Sequence, residues 1–126
     1  MSERAPAPAA PPLTFPRARR LRTPGEFKRV YASGRRFGTE FFSVNAQPNQ
    51  LSCARLGMSI AVRTMGSAVA RNRVRRMIRE SFRLHQTIVP AVDVVIGVRA
   101  AARGAAAAQL RASLEQLWQK LRQGSA

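Results

Sequence analysis

Hydrophobic and polar positions repeat along the chain with two periods, and the changes between them mark out its elements. From Thr23 to Gly34, Phe27, Val30 and Tyr31 fall on one side of a helix. Thr23 is placed to cap it, Pro24 fits the first turn, and Glu26 stands three residues beyond Thr23, as in a capping box. Gly34 ends it. In "TEFFSVNA", Phe42, Val44 and Ala46 alternate with Phe41, Ser43 and Asn45, which is strand periodicity, and Arg35 to Gly38 leaves room for a short strand before it. The chain turns through "QPNQLSC". "ARLGMSIAV" then alternates again, with Leu56, Met58, Ile60 and Val62 on one side and the small Gly57, Ser59 and Ala61 on the other.

"VRTMGSA" reads as a connection, with Ser67 placed to cap a long helix from about Ser67 to about His85. Ala70, Val74, Met77, Ile78, Ser81, Phe82 and His85 fill one arc of that helix. Arg75, Arg79, Asn72, Arg83 and Arg76 fill the adjoining arc, with Arg71 on the seam and Arg73 on the opposite border. "VDVVIGVR" is a β-branched run suited to a strand covered on both faces. "AAARGAAAAQLRASLEQLWQKLRQ" is a last helix with Leu110, Leu114, Leu117, Trp118 and Leu121 as its stripe. The order α-β-β-β-α-β-α predicts a small α/β fold, an α+β two-layer sandwich.

Charge changes the picture most. The 126 residues hold 22 Lys plus Arg against 6 Asp plus Glu, a formal net charge of +16, and such an excess opposes compaction unless a polyanion offsets it. Lys28 and Lys120 are the only lysines, and arginine both forks onto phosphate and stacks on bases, which suits folded or single-stranded RNA. High G+C coding would also favour arginine over lysine, but it does not explain the shortage of acids. The helix stretch "ARNRVRRMIRESFR" concentrates the charge. Arg71/Arg75, Arg75/Arg79 and Arg79/Arg83 are like-charge i, i+4 pairs, each costing about 0.2–0.5 kcal/mol. Phosphates on that face would offset the cost. Asn72 inside the patch could read a base edge or ribose, and is equally served by solvent.

Other classes are excluded or disfavoured. The acids Glu3, Glu26, Glu40, Glu80, Asp93 and Glu115 are scattered without a metal-binding pair, and the lone His85 lies on or beside the apolar arc, as a packing residue would. A stand-alone nuclease is therefore disfavoured, as is a DNA-binding module, since no paired short helices are evident. Cys53 is the single cysteine, so no internal disulfide framework exists and a reducing, cytoplasmic setting is expected. No apolar run is long enough to span a bilayer, and "MSERAPAPAAPPLTFP" lacks the pattern of a secretory signal, so no membrane association is expected. Residues 1–14, rich in Ala and Pro, are expected to be a disordered tail, 15–122 one RNA-binding domain, and 123–126 a flexible C-terminus.

"ARNRVRRMIRESFR" resembles the signature of the bacterial ribonuclease P protein subunit. "FPRARRLRTPGEFKRVY", "RLGMSIAV", "VDVVIGVR" and "LEQLW" resemble that family's flanking motifs, in order, over about residues 15 to 122. The resemblance implies a small mixed sheet with helices, like the second domain of ribosomal protein S5. It implies a subunit of the ribonucleoprotein that removes the 5′ leader from precursor tRNA. Its partners would be the catalytic RNA subunit and precursor tRNA, with no obligate protein partner evident. The RNA subunit would carry out the chemistry, so no residue of this chain is expected to be catalytic or to hold a metal. No cofactor is expected on the protein, and Mg²⁺ is expected in the holoenzyme, held mainly by RNA. A structural, ribosomal-type RNA-binding protein is the alternative.

By the same resemblance, Phe27 and Tyr31 would line a leader-binding cleft from the first helix, and Arg71, Asn72, Arg76 and Arg79 from the long one. Arg73 and Arg75 would point toward the catalytic RNA or solvent, and Arg83 and Arg99 would add to the outer basic surface. Two positions depart from the family pattern. Val62-Arg63 stands where two basic residues are usual, leaving Arg63 to make the phosphate contact. Asn45 stands where an aromatic or large apolar residue is common. Strand parity puts Phe41 on the face of Asn45, where it could supply the stacking surface.

Overall fold

The computed structural model of the chain describes residues 19 to 51 and 53 to 124. The Ala/Pro-rich tail at 1–14 and residues 125–126 lie outside the described residues. Four helices and four strands follow in the order α1 (Pro24–Ser33), β1 (Arg35–Gly38), β2 (Phe42–Pro48), β3 (Arg55–Ser59), α2 (Val62–Met65), α3 (Ala68–His85), β4 (Val92–Val98) and α4 (Ala107–Gly124). The sheet runs β1-β2-β4-β3, with β3 and β4 parallel and the other neighbours antiparallel. It is the mixed α/β sandwich that the element order predicts.

Successive strand residues point to opposite faces of the sheet. On one face Phe42, Val44, Leu56, Val94 and Ile96 meet Val74, Ile78 and Phe82 of α3 and Leu114, Leu117, Trp118 and Leu121 of α4. Burying side chains of this size contributes roughly 1.5–3 kcal/mol each, so this face holds most of the fold's apolar stabilisation. Trp118 closes it. Its ring meets Phe82 edge to face at 5.7 Å, and its Nε1–H donates to Ser81 Oγ at 2.8 Å, which satisfies the indole inside the core.

The opposite face carries a smaller cluster, Leu21, Val30 and Val95 with Phe27 against them, and α1 lies over it. Polar contacts clasp α1 there. The Thr23 hydroxyl accepts from the Glu26 amide at 3.1 Å, and the Glu26 carboxylate accepts from the Thr23 amide at 2.9 Å, completing the predicted capping box. Arg55 on β3 donates to Glu26 at 3.0 Å and, through two nitrogens, to the buried Asp93 of β4 at 2.8 and 2.7 Å. One guanidinium thus links α1, β3 and β4.

Four boundaries differ from the sequence pattern. β2 begins at Phe42 rather than near Thr39, because Thr39 closes a turn: its amide donates to the Phe42 carbonyl at 2.9 Å, and its hydroxyl accepts from the Phe42 amide at 3.2 Å. The connection after β3 contains the single turn α2, ended by Gly66 at φ +91°, a conformation that favours glycine. The alanine-rich start of the last helix is a separate 3-10 turn at Ala100–Ala102, cut from α4 by Gly104 at φ +83°. α4 in turn continues to Gly124, one residue beyond the stretch read as the last helix.

Candidate nucleic-acid interface

Around the buried Val95, the face of the sheet under α1 carries small or polar side chains. In register across β2, β4 and β3 lie Asn45, Val95 and Gly57, and beside them Ser43, Gly97 and Ser59. These small residues leave two hollows, adjacent along β3, with Gly57 in one and Ser59 in the other.

The hollow at Gly57 has a volume of about 260 Å³ and is bounded by Phe27, Arg20, Arg22, Arg75 and Arg79. A Cβ on Gly57 would sit 2.7 Å from Phe27 Cζ, so only glycine lets the ring lie directly on the strand. Arg75 and Arg79, one turn apart on α3, reach it from the β3 edge. No described acid pairs with either. Burial, and then the like charges of Arg75 and Arg20, hold the Arg79 guanidinium below its ordinary pKa. Crowding of this kind is relieved by an anion.

The second hollow, about 420 Å³, has Ser43, Asn45, Ser59 and Gly97 as its polar floor, with Tyr31 and Arg36 on its walls. Tyr31 is 48% exposed. Phe27 and Tyr31 therefore present their rings along one sheet face but to different hollows, with Val30 buried between them.

The structure rearranges several of the expected positions. Arg76, expected beside Phe27, instead borders a groove between α3 and α4 together with Arg73. Arg75, expected to point away, takes its place, because one residue rotates a helix side chain by about 100°. Phe41 does not share the face of Asn45. It precedes β2 in the Thr39 turn and is buried in the main core, beside Gln109, Ala112 and Ser113 of α4. It is not available for stacking in the cleft. Arg71 is half-buried, with its Nε enclosed and unpartnered among the described residues, and Asn72 is exposed without lining either hollow. Arg63 is exposed on α2, Arg83 pairs with Glu80, and Arg99 lies against Gly38 where β4 ends. Sequence reasoning missed Arg20, Arg36, Ser43 and Ser59. The basic run preceding the first helix was the available signal for Arg20; the others become neighbours only through strand register.

His85 is half-buried, its Nδ1 2.8 Å from the Ser81 carbonyl. Among the described residues no three His, Cys, Asp or Glu side chains are grouped to hold a metal ion, and no helix is long and apolar enough to cross a membrane.

A strongly basic α/β sandwich with arginines and aromatic rings gathered over a glycine-floored sheet face has the build of an RNA-binding protein. Residues 15–122 match the family model for ribonuclease P. The chain is 38% identical over 107 residues to the ribonuclease P protein component of Thioalkalivibrio sulfidiphilus, covering 85% of this chain and 89% of that one. It is 38% identical to that of Methylococcus capsulatus, covering 82% and 81%. Among solved structures, the RNase P protein of Staphylococcus aureus superposes with a TM-score of 0.77 at 31% identity, over 82% of this chain and 94% of that one. That of Thermotoga maritima superposes with a TM-score of 0.71 at 27% identity, over 82% and 96%. The chain belongs to the ribonuclease P family, whose role is processing of the tRNA 5′ end. That assignment sets aside the structural ribosomal-type alternative.

Proposed function

We propose that the chain joins the RNase P RNA subunit and holds the single-stranded 5′ leader of precursor tRNA across the two hollows of the open sheet face. The observation that carries this is the convergence of Arg75 and Arg79, without acidic partners, on Phe27 over Gly57. Guanidiniums there meet successive phosphates, while Phe27 and the exposed Tyr31 offer stacking faces that accept any base. The polar floor of Ser43, Asn45 and Ser59 adds donors and acceptors for base edges or riboses.

The RNA subunit carries out the hydrolysis, with Mg²⁺ held mainly by RNA. Three of the protein's acids are already engaged, Glu26 and Asp93 by Arg55 and Glu80 by Arg83, which accords with this division. The protein's part is to place positive charge along a polyanionic substrate and so to lower the Mg²⁺ needed for cleavage. Action in the cytoplasm accords with this reading.

Reconstitution tests it. Highly purified, RNA-free protein is expected to leave precursor tRNA intact at every Mg²⁺ concentration. With a bacterial RNase P RNA it is expected to restore 5′-leader cleavage at Mg²⁺ levels where the RNA alone is inactive. Specific cleavage by the protein alone would overturn the division of labour.

A further inference from the structure

The groove between α3 and α4 lies on the far side of α3 from Arg75 and Arg79. It encloses about 410 Å³, within the roughly 300–1,000 Å³ of sites that take small organic groups. Met77 and Leu84 supply its apolar lining, and Leu84 is 49% exposed. A single exposed leucine is ordinary, but this one fronts a hollow ringed by Arg73, Arg76 and Arg111. Arg111 comes from α4, so two helices contribute to the charge. None of the three arginines is paired with an acid among the described residues. Two acids also line the groove, Glu80, which Arg83 holds, and Glu115, so three guanidiniums face two carboxylates and only Glu115 is without a paired arginine among the described residues.

We propose that this groove seats one unpaired nucleotide of the RNase P RNA, its base against Met77 and Leu84 and its phosphate under Arg111, Arg73 and Arg76. Three chemical features point to that occupant. An apolar lining with a cationic rim matches a flat, weakly polar base joined to an anion. The surplus of positive charge disfavours a basic or purely apolar partner. And a leader strand held across the open sheet face lies on the other side of α3, so the RNA in this groove is a different one. The proposal rests on the reading of the chain as a partner of the RNase P RNA. It adds α4 to the RNA-contacting surface and gives α3 two RNA-facing sides.

The test titrates labelled RNase P RNA, without tRNA, with wild-type protein, Arg111→Ala, Arg111→Lys and Leu84→Ala, each checked by thermal melting. Arg111→Ala should weaken binding several-fold and flatten the slope of log affinity against log salt by about 0.7–0.9, and Arg111→Lys should restore most of the slope. Leu84→Ala should weaken binding about fivefold with the slope unchanged, since it removes contact area and no charge. Assembled holoenzymes should still discriminate precursor from mature tRNA as wild type does. Wild-type affinity in Arg111→Ala or Leu84→Ala would overturn the proposal, as would a loss confined to precursor discrimination. Failure of the wild-type protein itself to bind the RNA would instead remove the reading beneath it.

Discussion

Glu26→Gln removes a charge shared by α1 and β3. The carboxylate accepts from the Arg22 amide at 2.7 Å, the Thr23 amide at 2.9 Å and Arg55 at 3.0 Å. The two amides first, and then the Arg55 charge, hold its pKa at about 2 against an ordinary 4.5. By linkage, a gap of that size corresponds to at most about 3 kcal/mol. The side chain keeps 20% of its surface open to water, and N-terminal caps typically contribute about 0.5–2 kcal/mol, so a loss of about 2 kcal/mol is expected. For a domain of this size that lowers Tm by roughly 8–16 °C near neutral pH. The sign follows from a depressed carboxylate. Its contribution is complete above pH 4.5 and fades as pH falls toward about 2. Urea midpoints of wild type and variant, measured at fixed salt near pH 7, 4 and 3, should therefore converge toward the acid end. A gap of equal size near pH 7 and pH 3 would assign the loss to packing rather than charge and refute the reasoning. So would no gap at neutral pH.

Gly57→Ala puts a Cβ 2.7 Å from Phe27 Cζ and 3.0 Å from Leu21 Cβ, so it should cost about 1–3 kcal/mol in thermal unfolding and weaken RNA binding together. Ser81→Ala strands the Trp118 Nε1–H in the core and should cost about 1–3 kcal/mol in urea unfolding, with the leader cleft unaffected. Tyr31→Ala, at a half-exposed side chain, should barely move Tm yet lose about 1–3 kcal/mol of affinity for precursor tRNA with a long leader. A large fall in Tm with unchanged leader discrimination would instead place Tyr31 in the fold.

Where local chemistry decides, the sequence was readable. Thr23, Pro24 and Glu26 announce α1 and its capping box, and Ser67 caps α3 by accepting from the Ala70 amide at 3.1 Å. The apolar arc Val74, Ile78, Phe82 is the side that α3 buries. What could not be read is whatever depends on how elements are set against each other. Periodicity separates the arginines of α3 from its core but does not say which border meets β3 and which meets α4, hence the exchange of Arg75 and Arg76. Parity along β2 holds only where the strand is extended, and the Thr39 turn takes Phe41 out of it. Arg55 and Asp93 are 38 residues apart, and only the parallel register of β3 on β4 brings them opposite each other. The alanine run reads as one helix because nothing in its periodicity reveals the turn at Gly104.

If Arg75 and Arg79, with Phe27 and Tyr31, grip the leader, removing either guanidinium must be felt only by a tRNA that has one. The decisive quantity is the affinity of reconstituted holoenzymes carrying Arg75→Ala or Arg79→Ala for precursor and for mature tRNA across a salt series. The prediction is weaker binding of the precursor alone, with the slope of log affinity against log salt flattened by about 0.7 for each leader phosphate that no longer meets a guanidinium. Equal weakening of both tRNAs, or no weakening of either, would contradict it.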